Sequence, residues 1–282
     1  MPAIRAAHHR DFSVEALVAA KRGHRVTVCL PARDEEATVG GIVGAIDAEL
    51  VAGHALVDEV LVVDDGSADA TAAVAVATGA RVVPALGPGK GRAMWTGVLE
   101  SEGDVIVFCD ADVRNFAPSF VVGLLGPLLS WPEVGFVKAF YERPLDGRPG
   151  EGGRVTELLA KPLLRALFPE LAPVVQPLAG ECAARRHILE QLPFAEGYGV
   201  DIALLVDVAA RYGISALAQV DLGRRVHRNR PLSELVPQAD AVLATALGRA
   251  GVARRLPECP PPVAVAARRP RAVSGAGRAS RP

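Results

Sequence analysis

The triplet Asp110-Ala111-Asp112 closes the apolar run Val105-Ile-Val-Phe-Cys109. In extended backbone, positions i and i+2 project to one face, so both carboxylates can point into one site. Two carboxylates that close repel, and a divalent cation relieves the repulsion. Magnesium suits an all-oxygen site and also bridges a diphosphate. Acidic triplets arise in plain turns as well; a place at the end of a central apolar strand favours metal binding.

Two other apolar runs end in acids: Leu30-Pro31-Ala32-Arg33-Asp34-Glu35-Glu36 and Val63-Asp64-Asp65-Gly66-Ser67-Ala68-Asp69. Helix capping accounts for each taken alone, with a helix beginning at about Glu35 and with Ser67 or Asp69 capping the next. Capping does not explain why both fall where a third strand presents Asp110 and Asp112. The loop Leu86-Gly87-Pro88-Gly89-Lys90-Gly91 leads into a helix and brings backbone N–H groups toward an anion. Its spacing is not GxxxxGK[ST], and no GxGxxG follows the first strand, so P-loop and nicotinamide readings weaken. Lys90 can reach a phosphate or a base carbonyl. Late in the chain, if the strand before Arg224 continues, Arg225, His227 and Asn229 share one face, presenting a cation, an imidazole and an amide. A metal held by Asp112 would accept a neutral imidazole nitrogen.

The elements that must position these groups read as α/β. Val26–Pro31, Glu59–Asp64, Arg81–Pro84 and Asp104–Asp110 are near-continuous apolar runs, as expected of parallel strands covered on both faces. Helical periods alternate with them, among them Val155–Leu167 and Val200–Arg211, the latter stopped at Gly213. Further strands are expected over Val134–Phe140 and Ala216–Asp221. Open α/β sheets bind ligands beyond the carboxyl ends of their strands, which is where the acids fall. The expected organisation is a helical segment over 1–24, one half of an α/β domain over 25–145, the other half over 146–256, and a disordered basic tail over 257–282.

Composition sets the outer bounds. The 282 residues carry 31 basic and 32 acidic side chains, for a net charge of −1. That balance lacks the positive field on which non-specific nucleic-acid binding draws. Four scattered cysteines form no CxxC pair and read as buried thiols. No stretch approaches the roughly 18 apolar residues of a membrane helix, and the expected location is cytoplasmic, without stable membrane insertion. The four lysines, Lys21, Lys90, Lys138 and Lys161, stand out against 27 arginines.

Taken in order, LPARDEE, VVDDGSADAT, GPGKG, DAD, GGRVTELLAKPLL, QPLAGE, GYGVD and HRNRPL resemble the glucosyl-3-phosphoglycerate synthases of actinobacteria, retaining glycosyltransferases of the GT-A fold. The first motifs and DAD mark GT-A transferases broadly; GGRVTEL and HRNRPL are specific to this family. The resemblance covers about Asp11 to Gly251 and implies a Rossmann-like, mainly parallel sheet flanked by helices, with a donor-binding half over 25–145 and a C-terminal acceptor-binding and metal-completing part over 146–256. It implies transfer of glucose from UDP-glucose to the 2-hydroxyl of 3-phosphoglycerate, with Mg2+ or a similar ion (Mn2+, Co2+), by a homodimer. Pro31, Ala32, Arg33 and Glu35 would line the uridine site, with Ser67 and Tyr198 nearby and Lys90 at the nucleotide. Asp110 would meet the ribose or the metal shell, while Asp112 and His227 would hold the cation. Gly153, Arg154 and Thr156, helped by Arg225 and Asn229, would grip the acceptor. The carbonyl of Leu178 would lie under the sugar.

The chain departs from the family pattern at Asp201, where the resemblance implies a glutamate that contacts the glucose hydroxyls, and the shorter side chain loses about 1.5 Å of reach. Arg33 replaces a leucine and Ala111 a serine. Other readings are a related transferase using GDP-mannose or glycerate, and a nucleotide-sugar-binding protein without turnover.

Overall fold

The computed structural model of the chain describes residues 3–144, 152–226, 231–252 and 258–266. The first half holds β1 (Arg5–His8), α1 (Val14–Lys21), β2 (Val26–Ala32), α2 (Val39–Ile46), β3 (Glu59–Asp64), α3 (Thr71–Ala77), β4 (Arg81–Pro84), α4 (Lys90–Glu100), β5 (Val105–Phe108) and α5 (Ser119–Ser130). The second holds β6 (Phe136–Glu142), α6 (Lys161–Leu167), β7 (Cys182–Arg185), α7 (Arg186–Leu189), β8 (Phe194–Ala195), α8 (Val200–Tyr212), β9 (Leu217–Arg224), α9 (Leu232–Arg249), β10 (Glu258–Cys259) and α10 (Pro262–Ala266).

Eight strands form one sheet in the order β1-β9-β6-β7-β5-β2-β3-β4. All neighbours run parallel except β7, which is antiparallel to β5 and β6. The apolar runs supply both faces of this sheet. Val26, Val28 and Leu30 of β2 join Val60 and Val62 of β3 in one core, whereas Cys29, Leu61 and Val63 join Phe108 in the other. All four cysteines are buried and free. Among the described residues no helix is long and apolar enough to cross a membrane.

Three departures from the sequence reading each have a physical reason. The amino-terminal segment is not wholly helical, because Arg5–His8 adds an edge strand parallel to β9, whose outer edge would otherwise lack a partner. The helix after β2 starts at Val39, four residues later than expected. There the Glu35 amide donates to Thr71 Oγ1 at 2.7 Å and the Glu36 amide to Asp69 Oδ2 at 3.1 Å, so the next turn satisfies these groups and the chain need not coil at once. At the other end, Glu258–Cys259 pairs antiparallel with β8, and Trp95 Nε1 donates to the Pro260 carbonyl at 2.8 Å. The segment 258–266 is therefore clipped onto the fold by a buried thiol and an indole, features that its proline content masks. The remainder of the expected tail, 267–282, lies outside the described residues.

Candidate active site

At the carboxyl edge of the sheet the acidic strand ends converge. Strand β5 stops at Phe108, so Asp110 and Asp112 stand on the turn beyond it rather than in extended backbone. The turn still brings the carboxylates together: one guanidinium nitrogen of Arg225, just past β9, donates to Asp110 Oδ2 at 2.7 Å and to Asp112 Oδ1 at 2.8 Å. The Thr38 hydroxyl fixes the turn by donating to the Ala111 carbonyl at 2.6 Å. Arg225 thus offsets the charge repulsion anticipated from the sequence.

Lys90 opens α4, and the loop before it is shaped by Gly87 and Gly89, both at positive φ, where a side chain would be strained. The Gly89 amide donates to both oxygens of Asp65 at 2.9 and 3.0 Å. Burial pushes the Asp65 carboxyl up, against the pull of that amide and of Arg33. From this helix start, Lys90 Nζ lies 3.2 Å from Asp110 Oδ1 and 3.1 Å from Asp201 Oδ2. Asp201 sits in the first turn of α8, where the helix's positive end favours a carboxylate. Its other oxygen is 3.1 Å from Nζ of Lys138, which rises from β6 and is 2% exposed. Charges thus alternate from Lys138 through Asp201, Lys90 and Asp110 to Arg225 and Asp112.

For Lys90 and Asp110, burial opposes the charged form and their neighbours outweigh it. For Asp110, burial raises the carboxyl, but Lys90 and Arg225 hold it well below the usual range. Burial pulls Lys90 down, yet Asp110 and Asp201 raise it above an ordinary lysine. Arg225, buried likewise, is held high by Glu181, Tyr141, Asp110 and Asp112. Beneath it, Glu181 is fully buried, and burial lifts its carboxyl despite Arg225. Glu181 Oε1 lies 2.9 Å from Arg225 Nε, a close charge contact without hydrogen-bond alignment. Its other oxygen accepts from the Tyr141 hydroxyl at 2.6 Å, which in turn accepts from Arg143 at 2.6 Å.

A cavity of about 380 Å³ opens over this cluster. Of the donor-side residues picked out in the sequence, Pro31, Ala32, Arg33, Glu35, Lys90, Asp110 and Tyr198 line it. Asp112, Leu178, Asp201 and Arg225 line it too, and so do Gly153, Arg154 and Thr156 on the acceptor side. Ser67 does not: its hydroxyl donates to Asp64 Oδ1 at 2.5 Å and accepts from the Asp34 amide at 3.0 Å, tying the first two strand ends together. His227 and Asn229 lie outside the described residues. Arg33, exposed at the rim, reaches only to within 4.0 Å of Asp65.

Sequence reasoning gave no site role to Asp65, Arg143, Gln238 or Lys138. Asp65 and Lys138 had signals, as the second acid of a strand end and as a charge in the apolar run Val134-Gly-Phe-Val-Lys-Ala-Phe140. Gln238, on α9, had none. Asp110 and Asp112 offer the hard oxygen donors that Mg2+ or Mn2+ prefers. Among the described residues no three His, Cys, Asp or Glu gather as a metal site, and His227 lies outside them.

Residues 27–192 match the model of glycosyl transferase family 2. The chain is 50% identical over 257 residues to the glucosyl-3-phosphoglycerate synthase of Mycolicibacterium paratuberculosis, covering 86% of this chain and 77% of that protein. It belongs to the glucosyl-3-phosphoglycerate synthases of glycosyl transferase family 2. The Petrotoga mobilis synthase is 44% identical, over 87% of this chain and 80% of its own. The Mycobacterium tuberculosis synthase, solved with Mn2+, UDP-glucose and phosphoglyceric acid, superposes with a TM-score of 0.87 at 43% identity, covering 94% of this chain and 99% of that one. The same synthase has also been solved with Mg2+ and UDP.

Proposed function

We propose that the chain transfers glucose from UDP-glucose to the 2-hydroxyl of 3-phosphoglycerate with retention of configuration. The observation that carries this reading is the meeting of Asp110, Asp112, Lys90 and Arg225 at one cavity that Gly153, Arg154 and Thr156 also line. With a divalent cation on its carboxylates the first set suits a nucleotide diphosphate, and a small trianionic acceptor needs arginine forks and backbone N–H groups of the second kind.

In this reading Pro31, Ala32, Arg33 and Glu35 bound the uridine, with Tyr198 nearby. Asp112, with His227, would hold Mg2+, Mn2+ or Co2+. Such an ion, when bound, offsets the charge that develops on the leaving diphosphate. Lys90 adds a fixed positive charge on the same side. Arg154, Thr156 and Asn229 orient phosphate and carboxylate, and the Leu178 carbonyl lies under the sugar. No protein carboxylate is assigned as a nucleophile. Asp201 is committed to Lys90 and Lys138, and Glu181 is fully buried. The leaving diphosphate itself takes the acceptor's proton on the face it departs from.

The test is product analysis with Mg2+ or Mn2+, offering UDP-glucose or GDP-mannose against 3-phosphoglycerate or glycerate, with Asp112→Ala as control and the anomeric configuration read by NMR. An α-glucosyl product on 3-phosphoglycerate that vanishes in the control supports the proposal; mannosyl transfer, or transfer to glycerate alone, replaces it. A homodimer in the cytoplasm completes the reading, tested by light scattering and cell fractionation.

A further inference from the structure

Among the described residues Lys138 is the most deeply buried cation, at 2% exposure within β6, and its ammonium meets Asp201 Oδ1 at 3.1 Å. Placing an ammonium inside a sheet costs several kcal/mol before its partner compensates. Replacing such a pair by apolar side chains is often neutral or stabilising. Stability therefore gives no reason to keep it. Lys138 does not line the cavity, whereas Asp201 does. Apart from the reach of its charge, Lys138 can act on a ligand only through Asp201.

The chemistry of the proposed donor indicates what Asp201 meets. A diphosphate and a trianionic acceptor both repel a carboxylate; the hexose is neutral and rich in hydroxyl donors, which a carboxylate accepts. An aspartate among cations in this cavity suits the sugar. With its oxygens divided between Lys90 and Lys138, its χ angles have little freedom, and its remaining lone pairs point in fixed directions.

We propose that Lys138 is a positioning residue that clamps Asp201 from beneath the cavity so that its carboxylate can hold the donor's hexose. The inference rests on the nucleotide-sugar reading above. Without Lys138, Asp201 swings fully onto Lys90, and the hydroxyls lose a preorganised acceptor. The charge lost with Lys138 acts on the diphosphate of UDP and of UDP-glucose alike. The difference between these two ligands isolates the hexose.

Calorimetric titration with UDP-glucose and with UDP, both in the presence of Mn2+, tests this on wild type, Lys138→Met, Asp201→Asn and the double variant. The Met variant is expected to weaken UDP-glucose about tenfold more than UDP. In the Asp201→Asn background the same change adds less than about twofold, because the group it acts through is gone. A purely structural lysine lowers Tm and leaves the UDP-glucose to UDP ratio unchanged; that result, or full additivity in the double variant, overturns the proposal. Should the Met variant not fold, Lys138→Gln, shorter and uncharged, is judged by the same ratio. Transfer assays on the same proteins separate the two readings. Glucosyl transfer by wild type with an unchanged ratio in the variant removes Lys138 alone. A changed ratio without transfer to 3-phosphoglycerate removes the acceptor assignment alone. A wild type that does not bind UDP-glucose removes both.

Discussion

Arg225 holds Asp112 through a 2.8 Å hydrogen bond, using the nitrogen that also reaches Asp110 at 2.7 Å. The carboxylate that would receive a cation is thus oriented beforehand by a buried guanidinium. Asp112→Ala leaves Arg225 with Asp110 and Glu181, so the fold is kept. Transfer is expected to fall at least about 100-fold, and the Mn2+ dependence of UDP binding should disappear in calorimetry. Chelation of wild type by EDTA should abolish turnover, with Mg2+ or Mn2+ restoring it.

Strand runs and their acidic ends were legible because burial on both faces and turn chemistry each leave a local mark. β3 and β4 fall where the apolar runs place them, and α8 differs by one residue at its end. The edge strand Arg5–His8 left no such mark, since its pairing depends on β9, more than 200 positions away. The clip at Glu258–Cys259 was hidden for the same reason. Within the site, motifs pointed to the residues that line the cavity but not to their partners. That Lys138 answers Asp201, or Glu181 answers Arg225, is set by how β6, β7, β9 and α8 pack, and separations of 63 and 44 positions leave no sequence pattern to read.

Lys90 separates two carboxylates, Asp110 and Asp201, at 3.2 and 3.1 Å. Lys90→Met leaves them facing each other with no cation between. A lower Tm is expected by scanning calorimetry, together with a fall of about 100-fold in kcat, because the same ammonium faces the departing diphosphate in the proposed reaction. A kcat within threefold of wild type would remove Lys90 from the chemistry and leave it a structural counter-ion.

The pH dependence of stability follows from Asp110. Burial raises its carboxyl, Lys90 and Arg225 more than reverse that, and the folded value lies below the unfolded one. A group depressed in this way contributes stability above its unfolded value, about 3.9, and loses it as pH falls toward the folded value. Tm should therefore hold between pH 7 and 5 and drop below about pH 4. Asp110→Asn should melt lower at pH 7 and show a shallower acid drop. Equal slopes for the two proteins below pH 4 would assign acid sensitivity to other carboxylates.

Gly91, the second residue of α4, stands where a Cβ would come within 1.8 Å of the Ala195 carbonyl oxygen and 3.1 Å of the Gly197 nitrogen. Alanine is favoured over glycine inside a helix by about 1 kcal/mol, yet a backbone oxygen at that distance cannot yield as a side-chain tip would. The contact wins, and Gly91→Ala should destabilise by about 1–3 kcal/mol, lowering Tm by several degrees. The displaced segments carry Lys90 on one side and Tyr198 on the other, so KM for UDP-glucose should rise as well. Gly44→Ala on α2 is the matched control. A Cβ there meets nothing within 4 Å, and that variant should gain up to about 1 kcal/mol from helix propensity with kinetics unchanged. If both substitutions shift Tm alike, close packing of α4 against the β8 turn is not what fixes the start of that helix.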